Sequence, residues 1–308
     1  MLATTETRVR NAFIAAILSA KDQNTLRELA DLATGGRLME AIEKIANTIG
    51  KSIASSVDLA FVDTGRAVIA AMSDSFAAVI DFDQVNHRAV SAMQSNRLRL
   101  IREFVQEQRR ATREAITDAV RRGLNPRDTA RAFRESIGLT ARQQQAVNNF
   151  RRLLEQGSAE ALSRQLRDRR FDRTVARAVR DKTPLTGAQI DRMVQRYNER
   201  FLKFRSEVIA RTESLRAAHE GTQEAFRQAR EDGEIEADTL EQTWVTAKDE
   251  RVRDSHTTMN GQVRAMDEAF ISGNGNLLKY PGDIDAPPSE TIQCRCVVTT
   301  RVVRLPQV

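Results

Sequence analysis

The chain has 308 residues and a net charge of +6, with 41% apolar, 29% charged and only 5% aromatic side chains. Its two cysteines are too few for a secreted disulfide scaffold and fit a reducing compartment. Abundant Ala, Arg and Glu with sparse Gly and Pro disfavour an all-β domain and favour long helices joined by short turns.

The opening "MLATTETRVRNAFIAAILSA" has no basic stretch leading into an unbroken apolar run, so no secretory signal is expected. Residues 1–34 read as helical, with Phe13, Ile14, Ile17 and Leu18 followed by Leu26, Leu29 and Leu32 on the apolar side. From Gly35 to Asp83 the chain is rich in Ala, Ser and Gly at helical spacing. Small residues of this kind let helices approach closely, within a bundle or between subunits. The most apolar region, Val57 to Ile80, is broken by Asp58, Asp63, Arg66 and Asp74 and does not read as a membrane span. A soluble protein of a cytoplasm-like environment is the expectation.

From about Val85 one long amphipathic helix is predicted, carrying Leu98, Ile101, Val105, Ile116 and Val120 and stopping at Gly123. "LNPRD" starts the next, with Asn125 as N-cap, Pro126 at the first helical position and Asp128 two positions on. Gly138 then terminates, and Thr140 with Gln143 forms a capping box for a helix that ends at Gly157. Ser158 is read as the cap of a further helix running through "LRDRRFDRTVARAVRD". Thr186 with Gln189 repeats the box before a long helical pattern to about Asp232, with a bend or break expected near Arg205–Ser206.

At Gly233 the character changes. "QTWV" is β-prone, "SGNGN" and "YPGDIDAPPSE" are loops, and the β-branched "QCRCVVTTRVV" reads as a strand. The predicted fold is mainly α, with long helices in the first two-thirds and then a small α+β module with a short antiparallel sheet. Three regions follow: 1–84 rich in Ala, Ser and Gly, 85–204 rich in Arg, and the module 205–308, where the Glu207–Arg230 helix packs on the sheet.

Charge is distributed unevenly. Between Arg97 and Arg180 stand 21 Arg, no Lys and 10 acidic residues, so this segment carries +11 and the rest of the chain −5. Such a stretch is either the solvated side of amphipathic helices or a surface for phosphates or an acidic partner. Arg109, Arg110, Arg121, Arg122, Arg151, Arg152, Arg169 and Arg170 are the candidate contacts.

Chemistry-bearing residues gather in the last third. Cys294 and Cys296, separated by one residue, would face one side of a strand. Three readings are open: a zinc site with His256 and a fourth ligand such as His219 or Asp254, a strained redox pair, or two small buried residues. Burial is favoured, with Arg295 pointing outward to Glu290 or Asp283 and with zinc at His256, Cys294 and Cys296 kept as the alternative. His256 beside Asp249 and Asp254 could act as a general base with an orienting acid. There is no nucleophile elbow, Gly-rich phosphate loop or metalloprotease signature, and no catalytic residue or resident cofactor is assigned.

In order, these motifs resemble the phage head-morphogenesis family, the minor capsid proteins similar to the F protein of phage Mu. "ARTESLRAAHEG" supplies Arg211, Thr212 and Glu213. "TWVTAKDERVRDSHTTMNG" supplies Trp244, Asp249, Arg251, Val252, Arg253, His256 and Gly261. Pro281, Gly282, Asp283 and Glu290 precede the closing Cys294, Arg295 and Cys296. Gln293 departs from the Asn frequent before that closing motif, and Met259-Asn260 departs from a Leu-Asp type pair.

The resemblance covers about residues 205–308. It implies a non-enzymatic virion protein in the phage head near the portal, present in the host cytoplasm before assembly and oligomeric or in a few copies in the virion. Its implied partners are the portal protein, the major capsid protein and packaged DNA, with no membrane anchor, in head assembly, packaging or ejection. Arg211, Glu213, Asp249, Arg251, Arg253, His256, Asp283, Glu290 and Arg295 would form the internal polar network of an anchoring module. The rival class is a metal-dependent or transferase-like enzyme using His256 and the nearby acidic residues.

Overall fold

The computed structural model describes residues 2–76, 82–83, 85–233, 235 and 240–302. Long helices come first: α1 Leu2–Gln23, α2 Leu26–Thr34, α3 Leu38–Phe76 and α4 His87–Arg121. After α5 Pro126–Ser136 and α6 Ala141–Glu155 come two 3₁₀ turns, α7 Asp172–Arg180 and the 45-residue α8 Gly187–Glu231. A small α+β region closes the chain: β1 Leu240–Val245, α9 Asp254–Thr257, β2 Val263–Ala265, β3 Phe270–Ile271, β4 Leu277–Leu278, α10 Pro288–Thr291 and β5 Val297–Val302. Among the described residues no helix is long and apolar enough to cross a membrane. The expected mainly helical chain with a short terminal antiparallel sheet is what the structure shows.

Helix starts were the most readable local feature. The Asn125 side chain accepts from Asp128 N, with Pro126 at the first position. Thr140 and Gln143 close a capping box, and Thr186 exchanges hydrogen bonds with Gln189 at the head of α8. Thr25 and Glu28 form another box, which divides the predicted 1–34 helix into α1 and α2.

Three expectations need correction. The helix read from Ser158 is broken, because Ser158 caps only the 3₁₀ turn Ala159–Ser163. Next, the Asp168 carboxylate accepts from Arg170 N and pairs with the Arg170 guanidinium at 2.6 Å. These local bonds offer the backbone an alternative to the helical ladder, and α7 resumes only at Asp172. No break occurs near Arg205–Ser206: α8 is continuous there, with the Arg205 guanidinium buried against the Phe104 and Phe13 rings and donating to Gly138 O at 2.7 Å. Finally, the last strand begins at Val297, so both cysteines precede it. Residues 77–81 of the small-residue stretch, and Val303 of the predicted strand, lie outside the described residues.

The chain folds into two compact units, each built from segments distant in sequence. One comprises Asn11–Ile53 and Arg99–Ser206. Its core joins Leu139, Val147, Phe150 and Leu154 from the α6 region to Val175 of α7 and Ile190, Met193, Val194 and Tyr197 of α8. Gln108 of α4 is fully buried, donating to Ser136 O at 2.9 Å and accepting from Gly138 N at 2.6 Å, which fixes the turn between α5 and α6.

The other unit comprises Met1–Arg10, Ala54–Leu98 and Glu207–Val308 and holds the five strands found among the described residues. Its three-stranded antiparallel sheet has the order β2-β1-β5, with Trp244 opposite Val298 and Gln242 opposite both Arg264 and Thr300. β1 alternates buried and half-buried residues and lays Leu240, Gln242 and Trp244 inward. Its core is Leu215 of α8 with Trp244, Met259, Phe270, Leu278, Ala286 and both cysteines. Here α3 and α8 approach closely: a Cβ on Gly221 would stand 2.4 Å from Phe61 O. At this crossing the small-residue stretch therefore serves helix contact within a unit.

Candidate functional site

The buried Ser255 and His256 stand on α9, a four-residue helix whose start is held by His256 N and Thr257 N bonding back to Arg253 O. α9 places His256 in the core, 1% exposed, with Trp244 edge-on to its ring at 5.5 Å. Nδ1 lies 3.6 Å from Cys294 Sγ and 3.4 Å from Cys296 Sγ. On the opposite side of the ring, Nε2 lies 3.0 Å from Glu290 Oε2, close but outside straight hydrogen-bond geometry. Both thiols are free and buried.

Glu290, on α10, is fully buried. Four neutral donors surround it: Ser255 Oγ at 2.8 Å, Ser272 Oγ at 3.1 Å, Asn274 Nδ2 at 3.1 Å and Asn276 Nδ2 at 3.0 Å. Burial alone would raise this carboxyl, but bonds from Asn276, Ser255, Asn274 and Ser272 outweigh it and hold the group at about 2. The loop read simply as "SGNGN" is therefore a cradle for one anion, its short polar side chains aimed inward. No sequence reasoning paired Ser272, Asn274 and Asn276 with Glu290; three short donors at alternate positions was the signal available.

The two sulfurs share charge. The hydrogen bond from Cys296 overcomes burial and, with the His256 ring, brings the Cys294 thiol down to about 5. The same interaction and burial push Cys296 up. Two buried sulfurs against one imidazole, with one thiol held low, are a metal-binding arrangement. Among the described residues, His256, Cys294 and Cys296 are the group of three ligand-type side chains whose donor atoms lie within 4.8 Å of one another.

The other expected members of the polar network fall into separate contacts. Arg295 pairs with Asp249, not with Glu290 or Asp283, because Glu290 is enclosed by its own donors and Asp283 accepts from Lys279 N and Asp285 N within its turn. Arg251 contributes its backbone N–H to Asp249, and Arg253 donates to Ile292 O. Arg211 lies 3.7 Å from Glu6. Glu213 binds Arg216, a residue the sequence reading passed over, at 2.8 Å, and Arg216 Nε donates to Gly282 O at 2.8 Å. Gly282 has φ +87°, and a Cβ there would stand 3.3 Å from Arg216 Cα, so the Pro281-Gly282-Asp283 turn needs glycine to seat against α8. Thr212 Oγ1 accepts from Gln293 N at 3.0 Å. Gln293 has φ +58°, a left-handed conformation that Asn adopts more readily than Gln.

The neighbouring carboxylates Asp249 and Asp254 are both exposed, and the acid at His256 is Glu290. The candidate phosphate-facing arginines divide as well. Arg110 pairs with Glu107, Arg122 with Glu155, Arg151 with Asp191 and Arg170 with Asp168, while Arg152 donates to Asn149. Arg109, Arg121 and Arg169 are exposed and form no ion pair among the described residues.

A second buried imidazole, His219 on α8, stacks on Tyr280 with ring centroids 6.2 Å apart. Burial holds it down to about 4, against about 6.5 in an unfolded chain. Between those values the unfolded chain binds a proton that the folded chain excludes, so stability is full above about pH 6.5 and falls as pH drops towards 4. The expected loss from this residue is about 3 kcal/mol by pH 4. Urea midpoints measured across this range should fall with acid, and His219→Gln should flatten that slope. An unchanged slope in the variant would assign the acid sensitivity elsewhere.

Residues 154–299, just under half of the chain, match the family model described as Phage Mu protein F like protein. This is the phage structural, head-morphogenesis family that the motifs resemble, and the match begins some way upstream of residue 205. It takes in α7, α8, His256, Glu290, Cys294 and Cys296. No curated protein and no solved structure matches the chain significantly.

Proposed function

From the family match over residues 154–299, we propose that the protein is a minor head protein of a phage virion, docked to the portal or major capsid protein on the capsid interior. There it aids head assembly, DNA packaging or ejection without catalysis. The match is the observation that carries this reading. The closed character of the site supports it: His256, Glu290, Cys294 and Cys296 are each 3% exposed or less, so their chemistry serves the module's own architecture.

The direct test is sedimentation of heads from a phage-producing lysate, with cross-linking to the portal and capsid proteins. The protein should travel with heads at low copy number and cross-link to one of those two. Recovery only in the slow-sedimenting fractions would overturn the reading.

Packaged DNA is the further partner proposed, through Arg109, Arg121 and Arg169. Three phosphate contacts would give a slope of log affinity against log salt of about −3. Replacing all three by Gln should remove most of that slope, and DNA binding indifferent to salt would refute phosphate contact.

A further inference from the structure

We propose that His256, Cys294 and Cys296 bind one zinc ion, with Glu290 positioning the imidazole from behind. The inference stands on the site's geometry and does not depend on the virion reading.

A tetrahedral zinc ion with Zn–S of about 2.3 Å and Zn–N of about 2.0–2.1 Å sets its nitrogen and sulfur donors about 3.5 Å apart. Nδ1 stands 3.6 Å from Cys294 Sγ and 3.4 Å from Cys296 Sγ. A single ring nitrogen has one lone pair or one proton and can hydrogen-bond one thiol well. Near-equal approach to two sulfurs is the spacing of donors arranged around a common point.

The surroundings fit the same ion. The Glu290 carboxyl group, 3.0 Å from Nε2, favours the tautomer with its proton on that nitrogen, which leaves the Nδ1 lone pair directed at the sulfurs. The buried Trp244 indole N–H faces the Cys296 sulfur, which as a zinc-bound thiolate would accept from it more strongly than a thiol does. Two sulfurs and an imidazole are a soft donor set suited to zinc rather than to magnesium or calcium. Both sulfurs would ligate as thiolates, any proton they still hold passing to solvent, and three protein donors leave the fourth position to one enclosed water. Because α9 and the Cys294–Cys296 segment are about forty residues apart in sequence, the ion would fasten the start of β5 to the module core.

The test uses the full chain purified under reducing conditions. Metal analysis should find close to one zinc per chain. After chelation, cobalt(II) should be taken up at one equivalent, with a thiolate-to-cobalt charge-transfer band. Cys294→Ser and Cys296→Ser should each abolish the band, and Glu290→Gln should keep it but weaken affinity about 10–100-fold. The wild-type chain supplies a readout independent of variant folding: zinc should slow alkylation of both thiols. Folded wild-type protein that takes up neither metal, or whose thiols alkylate at the same rate with and without zinc, would overturn the proposal. So would a Cys294–Cys296 disulfide in place of bound metal.

Discussion

Glu290→Ala, measured by urea unfolding in the presence of a chelator, is expected to destabilise the fold by about 3–5 kcal/mol. The carboxylate is fully buried, and it accepts from Ser255, Ser272, Asn274 and Asn276 while facing His256 Nε2. Truncation leaves those donors without an acceptor in a place water does not reach, and each orphaned group costs about 1–3 kcal/mol, less than additively. A cavity of carboxylate size adds to the loss. Glu290→Gln keeps the volume and one acceptor oxygen but turns an amide N–H₂ towards existing donors, so it should fall between wild type and Ala. A Glu290→Ala chain within about 1 kcal/mol of wild type would mean that the four donors find water instead, and that the cradle is open in solution.

The second large effect is expected at the crossing of α3 and α8. Gly221→Val should destabilise by about 3 kcal/mol, because its Cβ would stand 2.4 Å from Phe61 O and 3.3 Å from Gly65 N. Both obstacles are backbone, so no side-chain rotation relieves them and one helix must move. Gly221→Ala meets the same first obstacle and should cost about 2 kcal/mol. Gly187, at the first turn of the same helix, is the internal control: a Cβ there meets nothing within 4 Å. Gly187→Ala should be neutral or stabilising by up to about 1 kcal/mol, since alanine loses less backbone entropy in a helix. Equal thermal midpoints for Gly221→Ala and Gly187→Ala would show that α3 and α8 stand apart at this point.

Much of the helical architecture was legible because its signals are local. Asn125-Pro126, Thr140 with Gln143 and Thr186 with Gln189 each act within four residues and need no tertiary partner. The same reasoning passed over Thr25 with Glu28 and joined α1 to α2. It failed between Ser158 and Asp172, where Asp168 competes for the backbone N–H of Arg170. The bend or break expected near Arg205 arose from the length of the helical run. In the fold two aromatic rings and a backbone carbonyl accept that guanidinium, and the helix runs through.

The amino-acid sequence by itself determined the helical class, most helix starts, the terminal β-rich module and the set of residue types concentrated there. These follow from periodicity, capping and composition, which are properties of short windows. Only the tertiary structure decided which of those residues meet. It placed Glu290 rather than Asp249 behind His256, gave Asp249 to Arg295, and set Ser272, Asn274 and Asn276 around one carboxylate. The spacing of Cys294 and Cys296 showed that the two could share a face, but the third donor lies about forty residues earlier, at the end of a different packing path. Which partner a buried polar group takes depends on how separate segments close over it, and no pattern within a single segment encodes that.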